Sequence, residues 1–487
     1  MKKKNLKRLC ALGLTGVMSA SMLAGCGGSG DSNGGGESKD GVPTLVWWLV
    51  GGTTPDGFDD MVSKISDYSE EKIGVRVDIK IAGYDNYDSK SNTIANAGEY
   101  FDIMFVNNTN YGKFVNLGIL EDITESVKTE APDLYEFIPE DLWDGVTYKG
   151  GIYAVPTYKD SSLTQFWYLD DAMVQKYGID YEGVTTMDQL GDIFKTLKEG
   201  ENNPSYYPCM LDQGALWNGF FNEYDGLAAG LQPMGVKIDD ESRKVINVLE
   251  QDDIKHNLEL LHEWYQAGYI NPDANVLTES SKGHTFGNAQ GWPAAVSQWQ
   301  DLQGIEKYDA WKVFGPIYTT ETIQGSMNAI SANSKYKTEA LKLLELVNTD
   351  KTFRDMLAYG IEGETFEYTE EGRVEKLTDT WSIGNYTIGT YFNLSGLADA
   401  DPAEYDQIKQ QNEEATQSVC LGFAFDSEPV QNELASCKTV WDKYKYDLLT
   451  GASDPSEVLP KVTEELKAQG FEKVMEEAQK QLDEFFK

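Results

Sequence analysis

The chain has 487 residues, of which 80 are acidic and 41 basic, for a formal net charge of -39. Such a surface repels nucleic acid and anionic lipid, so a nucleic-acid function is excluded. Apolar residues (40%) and aromatic residues (12%) fit a folded body rather than an acidic disordered tail, and the length suffices for two large lobes.

The chain opens with Lys2, Lys3, Lys4, Lys7 and Arg8, followed by an apolar run to Leu23 that small residues interrupt. A charged start, a greasy stretch and a small-residue processing site form a secretory signal, and the run is too short for a comfortable membrane span. Leu23-Ala24-Gly25-Cys26 reads as a bacterial lipobox, which makes residues 1–25 a lipoprotein signal peptide and Cys26 the lipidated first residue. Two acyl chains, of the palmitate kind, anchor stably where one would be marginal. No later stretch is apolar enough to span a membrane. The expected location is the outer face of the cytoplasmic membrane. Residues 26–42, rich in Gly, Ser and Asp, read as a flexible tether.

Beyond the tether, residues 44–50 form a compact apolar run that predicts a buried first strand. Phe58, Met61, Val62, Ile65 and Tyr68 recur at helical spacing. Val75, Val77, Ile79 and Ile81 alternate with polar residues, as in a strand. A helix over 89–97 and a buried strand over 101–106 follow. This alternation argues for a largely parallel α/β layer, in which ligands sit at the carboxyl ends of strands. Trp47, Trp48, Tyr84, Asn107, Asn108 and Asn110 fall at or just after those ends. Residues 162–169 predict another strand, 171–312 a helix-rich region with long polar loops, and 294–299 a strand leading to a polar, aromatic tip. Residues 340–347 and 353–357 read as helical. The last 60 residues carry three apolar stripes, the first running from Val430 to Leu448 and the last ending at Phe485. Such stripes are core faces.

Three segments in this order resemble the extracellular solute-binding proteins of family 1, the lipid-anchored receptors of ABC sugar importers. They are Phe101-Asp-Ile-Met-Phe with Leu117-Gly-Ile-Leu-Glu-Asp-Ile123, Tyr148-Lys-Gly-Gly-Ile-Tyr-Ala-Val-Pro156, and Ala329-Ile-Ser-Ala-Asn-Ser-Lys335 with Glu339-Ala-Leu-Lys-Leu-Leu344. The tail from Leu421-Gly-Phe-Ala-Phe-Asp426 to Asp483 resembles an uncharacterised C-terminal domain of one subgroup. The resemblance implies an α/β, two-lobed, periplasmic-binding-protein-like (type II) fold with discontinuous lobes, a hinge and a helical C-terminal region. Residues 43–156 plus 316–359 are then the N-terminal lobe. Residues 157–315 plus 360–487 are the C-terminal lobe, with the subgroup-specific helices at about 420–487. It also implies a carbohydrate ligand, an oligosaccharide, held between the lobes and delivered to the importer's permease subunits by a monomeric receptor.

Sugar binding calls for flat aromatic faces against pyranose rings, and for amides and carboxylates against paired hydroxyls. Of Trp47 and Trp48, one is expected to face the sheet core and the other the cleft. The resemblance puts Asn107, Asn108 and Asn110 at a ligand-contacting position and Trp299 at one where an aromatic stacks on sugar. Tyr158, Lys159, Trp217, Trp381 and Asn385 are further candidates, each with loop packing as the alternative. No catalytic residue, cofactor or metal is expected. No Gly-x-Ser-x-Gly elbow occurs, Asp399-x-Asp401 lacks the rest of a calcium loop, and His256 and His262 are off the spacing of a helical metal pair. Cys209, Cys420 and Cys437 are read as small buried thiols, with one bridge left open. A receptor for peptides or other polar solutes, and a lipid-anchored glycoside hydrolase, are the alternatives.

Overall fold

The computed structural model describes residues 41–487 apart from Thr53 and residues 217–220. The signal peptide, the lipidation site Cys26, nearly all of the tether and Trp217 therefore lie outside the described residues.

The first strand, Thr44–Gly51, is an inner strand of a five-stranded sheet. It pairs in parallel with Arg76–Gly83 and with Ile103–Val106. Met327–Ile330 joins antiparallel to Ile103–Val106, and Val155–Pro156 completes the far edge. Leu45, Trp47 and Leu49 point to one face and are fully buried there. The period of two in the sequence thus becomes one core face. The helix Phe58–Ile73 covers it with Met61, Val62 and Ile65. It stops where Gly74 turns left-handed and its N–H reaches the Glu70 carbonyl.

The second lobe is built on a four-stranded sheet in the order Phe286–Gln290, Leu163–Asp170, Tyr308–Tyr318, Thr416–Gln417. The C-terminal stripes form the helices Gln431–Leu449, Pro455–Ala468 and Phe471–Phe485. Their apolar faces merge with Leu190, Phe194, Leu258 and Trp264 of the lobe's own helices in one core. Cys209, Cys420 and Cys437 are buried in it as free thiols.

The lobe boundaries differ from expectation after residue 315. Tyr308–Tyr318 belongs to the second sheet along its whole length, so the chain recrosses just beyond Tyr318. Residues 360–388 do not return to the second lobe. Trp381, Ile383 and Ile388 join the first lobe's core, and Ile383 bridges to Gly51. The return falls within residues 389–415. There Tyr391 N–H donates to the Tyr158 carbonyl (3.1 Å), and the buried Asn412 amide accepts from Ser162 N–H (3.2 Å) and donates to the Lys159 carbonyl.

Gly315 has φ +79°, and a Cβ there would stand 2.1 Å from the Leu163 carbonyl oxygen of the neighbouring strand. Gly315→Ala is therefore expected to cost about 2 kcal/mol or more, from the left-handed backbone and the forced separation of the two strands. Urea unfolding checks this, and an unchanged midpoint contradicts it. On the side of Thr416–Gln417, Asp426 reaches the first lobe. Its carboxylate accepts from Lys149 Nζ (2.7 Å), Asn116 Nδ2 (3.0 Å) and Tyr148 OH (3.4 Å).

Candidate functional site

Where the returning chain passes between the lobes lies a cavity of about 350 Å3. Trp292, Ser297, Gln298 and Asp301 line it from the second lobe, and Tyr359 and Asn385 from the first. Tyr391, Leu394, Leu397, Asp399, Asp401, Glu404 and Tyr405 of the returning segment complete the lining. A larger, more open depression of about 620 Å3 sits beside Trp48 and residues 54–60, but the first lobe alone lines it. The smaller cavity, by contrast, draws on both lobes.

Local structure sets each wall. The strand Phe286–Gln290 ends at Gly291, which must be glycine because a Cβ would lie 2.7 Å from Trp299 Cζ2. Pro293 then opens the 3-10 turn Pro293–Ala295, leaving Trp292 at the corner. The helix Glu404–Glu414 clamps this corner. Gln407 Oε1 accepts from Ala294 N–H (2.8 Å), Gln411 donates to the Gly291 carbonyl (3.1 Å), and Gln298 donates to Glu404 (3.1 Å). Behind the opposite wall, the fully buried Arg354 guanidinium donates to the carbonyls of Thr390 (2.9 Å), Asn385 (3.0 Å) and Gly389 (3.5 Å). Its neighbour Asp355, equally buried, accepts from Ser395 N–H, Ser395 Oγ and Tyr368 OH.

The electrostatics suit neutral hydrogen bonding. Burial lifts the Glu404 carboxyl above the usual range, and lifts Tyr391 and Tyr405 as well, Tyr405 to about 12. These phenols stay protonated at neutral pH, each able to donate and to accept. Asn385 Oδ1 is buried without a hydrogen-bond partner. Flat aromatic faces, carboxylates and an open amide acceptor in one cavity are the groups that hold a polyhydroxylated ring.

Of the ligand candidates singled out from sequence that lie among the described residues, Asn385 is the one that lines this cavity. Trp47 is 0% exposed, with its indole N–H on Asn328 Oδ1 (3.0 Å), so it belongs to the sheet core. Trp48 faces the other side of the sheet with Lys90 over its ring. Tyr84, 56% exposed, lies beside Gly384. Two of the three asparagines do local work, and the third reaches across the fold. Asn107 Oδ1 accepts from Thr109 N–H (3.0 Å), and the buried Asn110 Oδ1 accepts from Asn107 N–H (3.0 Å). Asn108 donates to Glu321 (2.9 Å), a carboxylate that burial, with the buried Asp225 nearby, pushes upward. Tyr158 packs its ring on Phe392, and Lys159 pairs with Asp160. Trp381 is buried against Phe58 and donates to the Leu357 carbonyl.

Trp299 is the clearest correction. Residues 294–299 are not a strand. The segment Val296–Gln303 is a helix, which turns Trp299 back onto Tyr168, stacked at 4.9 Å and 15°. The tryptophan at the cavity is Trp292, which sequence reading passed over. Its signal was Gly291-Trp292-Pro293 directly after the strand, a turn that holds an aromatic at the strand's end.

Comparison with known proteins now decides the family. Residues 64–361 match the bacterial extracellular solute-binding protein family, and residues 419–487 match a domain of unknown function, DUF3502. A carbohydrate ABC transporter substrate-binding protein of Streptococcus pneumoniae is 30% identical over 502 residues, covering 99% of both chains. The chain belongs to the bacterial extracellular solute-binding proteins. This solute-binding protein also superimposes on the crystal structure of the N-glycan transport solute binding protein (NgtS) of Streptococcus pneumoniae. The TM-score is 0.81 at 29% identity, over 91% of this chain and 98% of that one. Against the same protein in complex with Man1GlcNAc the TM-score is 0.74 at 28% identity (91% and 99% covered). With Man5GlcNAc it is 0.72 at 29% identity (91% and 98% covered). The two-lobed fold expected from sequence is thus the fold of this family.

Proposed function

We propose that this protein is the lipid-anchored receptor of an ABC importer for oligosaccharides, held at the outer face of the membrane through Cys26. It binds sugar without altering it and presents the loaded form to the permease. The observation that carries the reading is the cavity lined from both lobes, where Trp292 and Tyr405 stand with Asn385 and Glu404. The relatives support the ligand class: one is named a carbohydrate ABC transporter protein, and another was crystallised with Man1GlcNAc and Man5GlcNAc. The Leu23-Ala24-Gly25-Cys26 motif supports the anchor. Ligand that touches both lobes favours a closed arrangement only by its differential affinity, so closure and binding are one equilibrium.

The test is calorimetry of the soluble body with Man5GlcNAc, small-angle scattering with and without it, and analysis of the glycan after incubation. Binding, a smaller radius of gyration and an intact glycan are expected. Steady release of shorter sugars would refute the receptor reading in favour of a hydrolase. Cys26→Ala should release the protein from the membrane fraction, and unchanged retention counts against the anchor.

A further inference from the structure

We infer that Glu321 and Asp225 form a proton-sensitive contact between the two lobes, whose effect on sugar affinity rests on the receptor reading above. Glu321 belongs to the first lobe. Its short helix, Thr320–Ile323, starts just beyond the crossing at Tyr318, and Ile323 is part of the first lobe's core. Asp225 belongs to the second lobe. Its strand, Tyr224–Asp225, pairs with Met234–Lys237, and Leu227 joins the second lobe's core. The two residues meet where the lobes touch: a Cβ placed on Gly226 would stand 3.3 Å from Glu321 Oε2. Asn108 Nδ2 donates to Glu321 Oε1 (2.9 Å). Lys438 of the helix Gln431–Leu449 faces Glu321 as a cation, and Asp442 shares that charge. Asp225 is 1% exposed. Its Oδ1 accepts from Leu227 N–H (2.8 Å), and the Ser418 hydroxyl and the Cys420 thiol face it.

Two carboxylates brought together out of water cannot both ionise without repulsion. Burial lifts the Glu321 carboxyl above its ordinary range, and the charge of Asp225 adds to this. Burial lifts Asp225 too, against the Ser418 hydroxyl and the Leu227 N–H. A carboxyl that is lifted inside the contact and returned to water outside it holds its proton more firmly in the contact. The contact is therefore favoured in acid and weakens as pH rises through the lifted range. Ser418, beside Asp225, follows the edge strand Thr416–Gln417, whereas the cavity opens beside the opposite edge, Phe286–Gln290. A rotation about an axis between those edges that narrows the cavity loosens the Glu321–Asp225 contact. Ionisation of the pair thus works with the sugar, and acid works against it.

The experiment combines sugar-free small-angle scattering with calorimetry of Man5GlcNAc, both from about pH 5 to about pH 8. The radius of gyration of the sugar-free protein should change across this range. Affinity should rise about tenfold from the acid to the neutral end, the equivalent of one pKa unit. Glu321→Gln keeps an acceptor for Asn108 but cannot ionise, so it should flatten both responses at their acid values. Glu404 in the cavity is lifted as well, and the part of the slope that Glu321→Gln removes is the part assigned to the contact. Asp225→Asn keeps an acceptor for Leu227 N–H and should act in the same direction, with melting curves to check that both variants fold. Scattering that pH leaves unchanged, or responses that persist in both variants, overturns the contact while leaving the receptor reading standing. Absence of binding at every pH refutes the receptor reading, and the sugar-free scattering still decides the contact.

Discussion

Trp292→Ala should weaken oligosaccharide binding by roughly 1–3 kcal/mol, the scale of losing one well-placed stacking aromatic, over and above the stability lost with a buried ring. The indole sits at the corner that Gly291 and Pro293 create, on the cavity side of the buried cluster that also holds Tyr168 and Trp299. The corner's backbone is held by Gln407 and Gln411, which the substitution leaves in place. Trp299→Ala should act on stability without the direct loss of a cavity contact. It removes a ring packed on Tyr168 and Phe166, so stability falls by about 3–5 kcal/mol and affinity changes only through that loss. Calorimetry and thermal melts on both variants distinguish the roles. A Trp292→Ala protein that binds as tightly as wild type would remove the cavity from consideration as the sugar site.

The second large effect is expected at Arg354. Arg354→Leu leaves the carbonyls of Thr390, Asn385 and Gly389 without their donor inside the first lobe, at a cost of about 3–5 kcal/mol. Burial already pulls this guanidinium's pKa down, so it is retained for its geometry and not for favourable solvation. Lysine should not rescue it, because a single ammonium cannot reach carbonyls spread from 385 to 390 as a planar fork does. Chemical denaturation measures the loss. Because the same carbonyls fix the wall that carries Asn385, affinity for sugar should fall as well, even where the variant is fully folded. Wild-type stability in Arg354→Leu would show that the wall is held by other means.

Much of the fold was legible in the sequence, and particular residues show why. Strands at 44–50, 75–81 and 101–106 announced themselves by alternation and apolar runs, and the C-terminal helices by stripes that glycines close. Trp47 and Trp48 obeyed the period of two, but both faces of this sheet are covered, so the pattern alone did not say which side was core. Residues 294–299 misled because Ala-Ala-Val is short and apolar, while Pro293 at the start and Gly304 at the end were the helix signals. Asn107 and Asn110 sit where ligands are expected, yet their side chains serve their own backbone turn, a use short polar residues share with binding. The cavity was least legible. Its walls come from residues 292–301, 359, 385–397 and 399–405, and the return of the chain after 388 is decided by long-range packing of Trp381 and Ile383 that no local spacing encodes.

Asp426 gives the two-lobed body a counterweight. The segment carrying it leaves the second sheet at Thr416–Gln417, whereas the cavity opens beside the opposite edge, Phe286–Gln290. A rotation about an axis between the two edges would narrow the cavity and draw the far edge away from the first lobe, where Asp426 holds Lys149, Asn116 and Tyr148. The affinity this protein shows for a sugar is then a difference between two faces, the one gained around the ligand and the one surrendered behind it. Evolution could retune that affinity from the C-terminal region without altering any residue that meets the sugar.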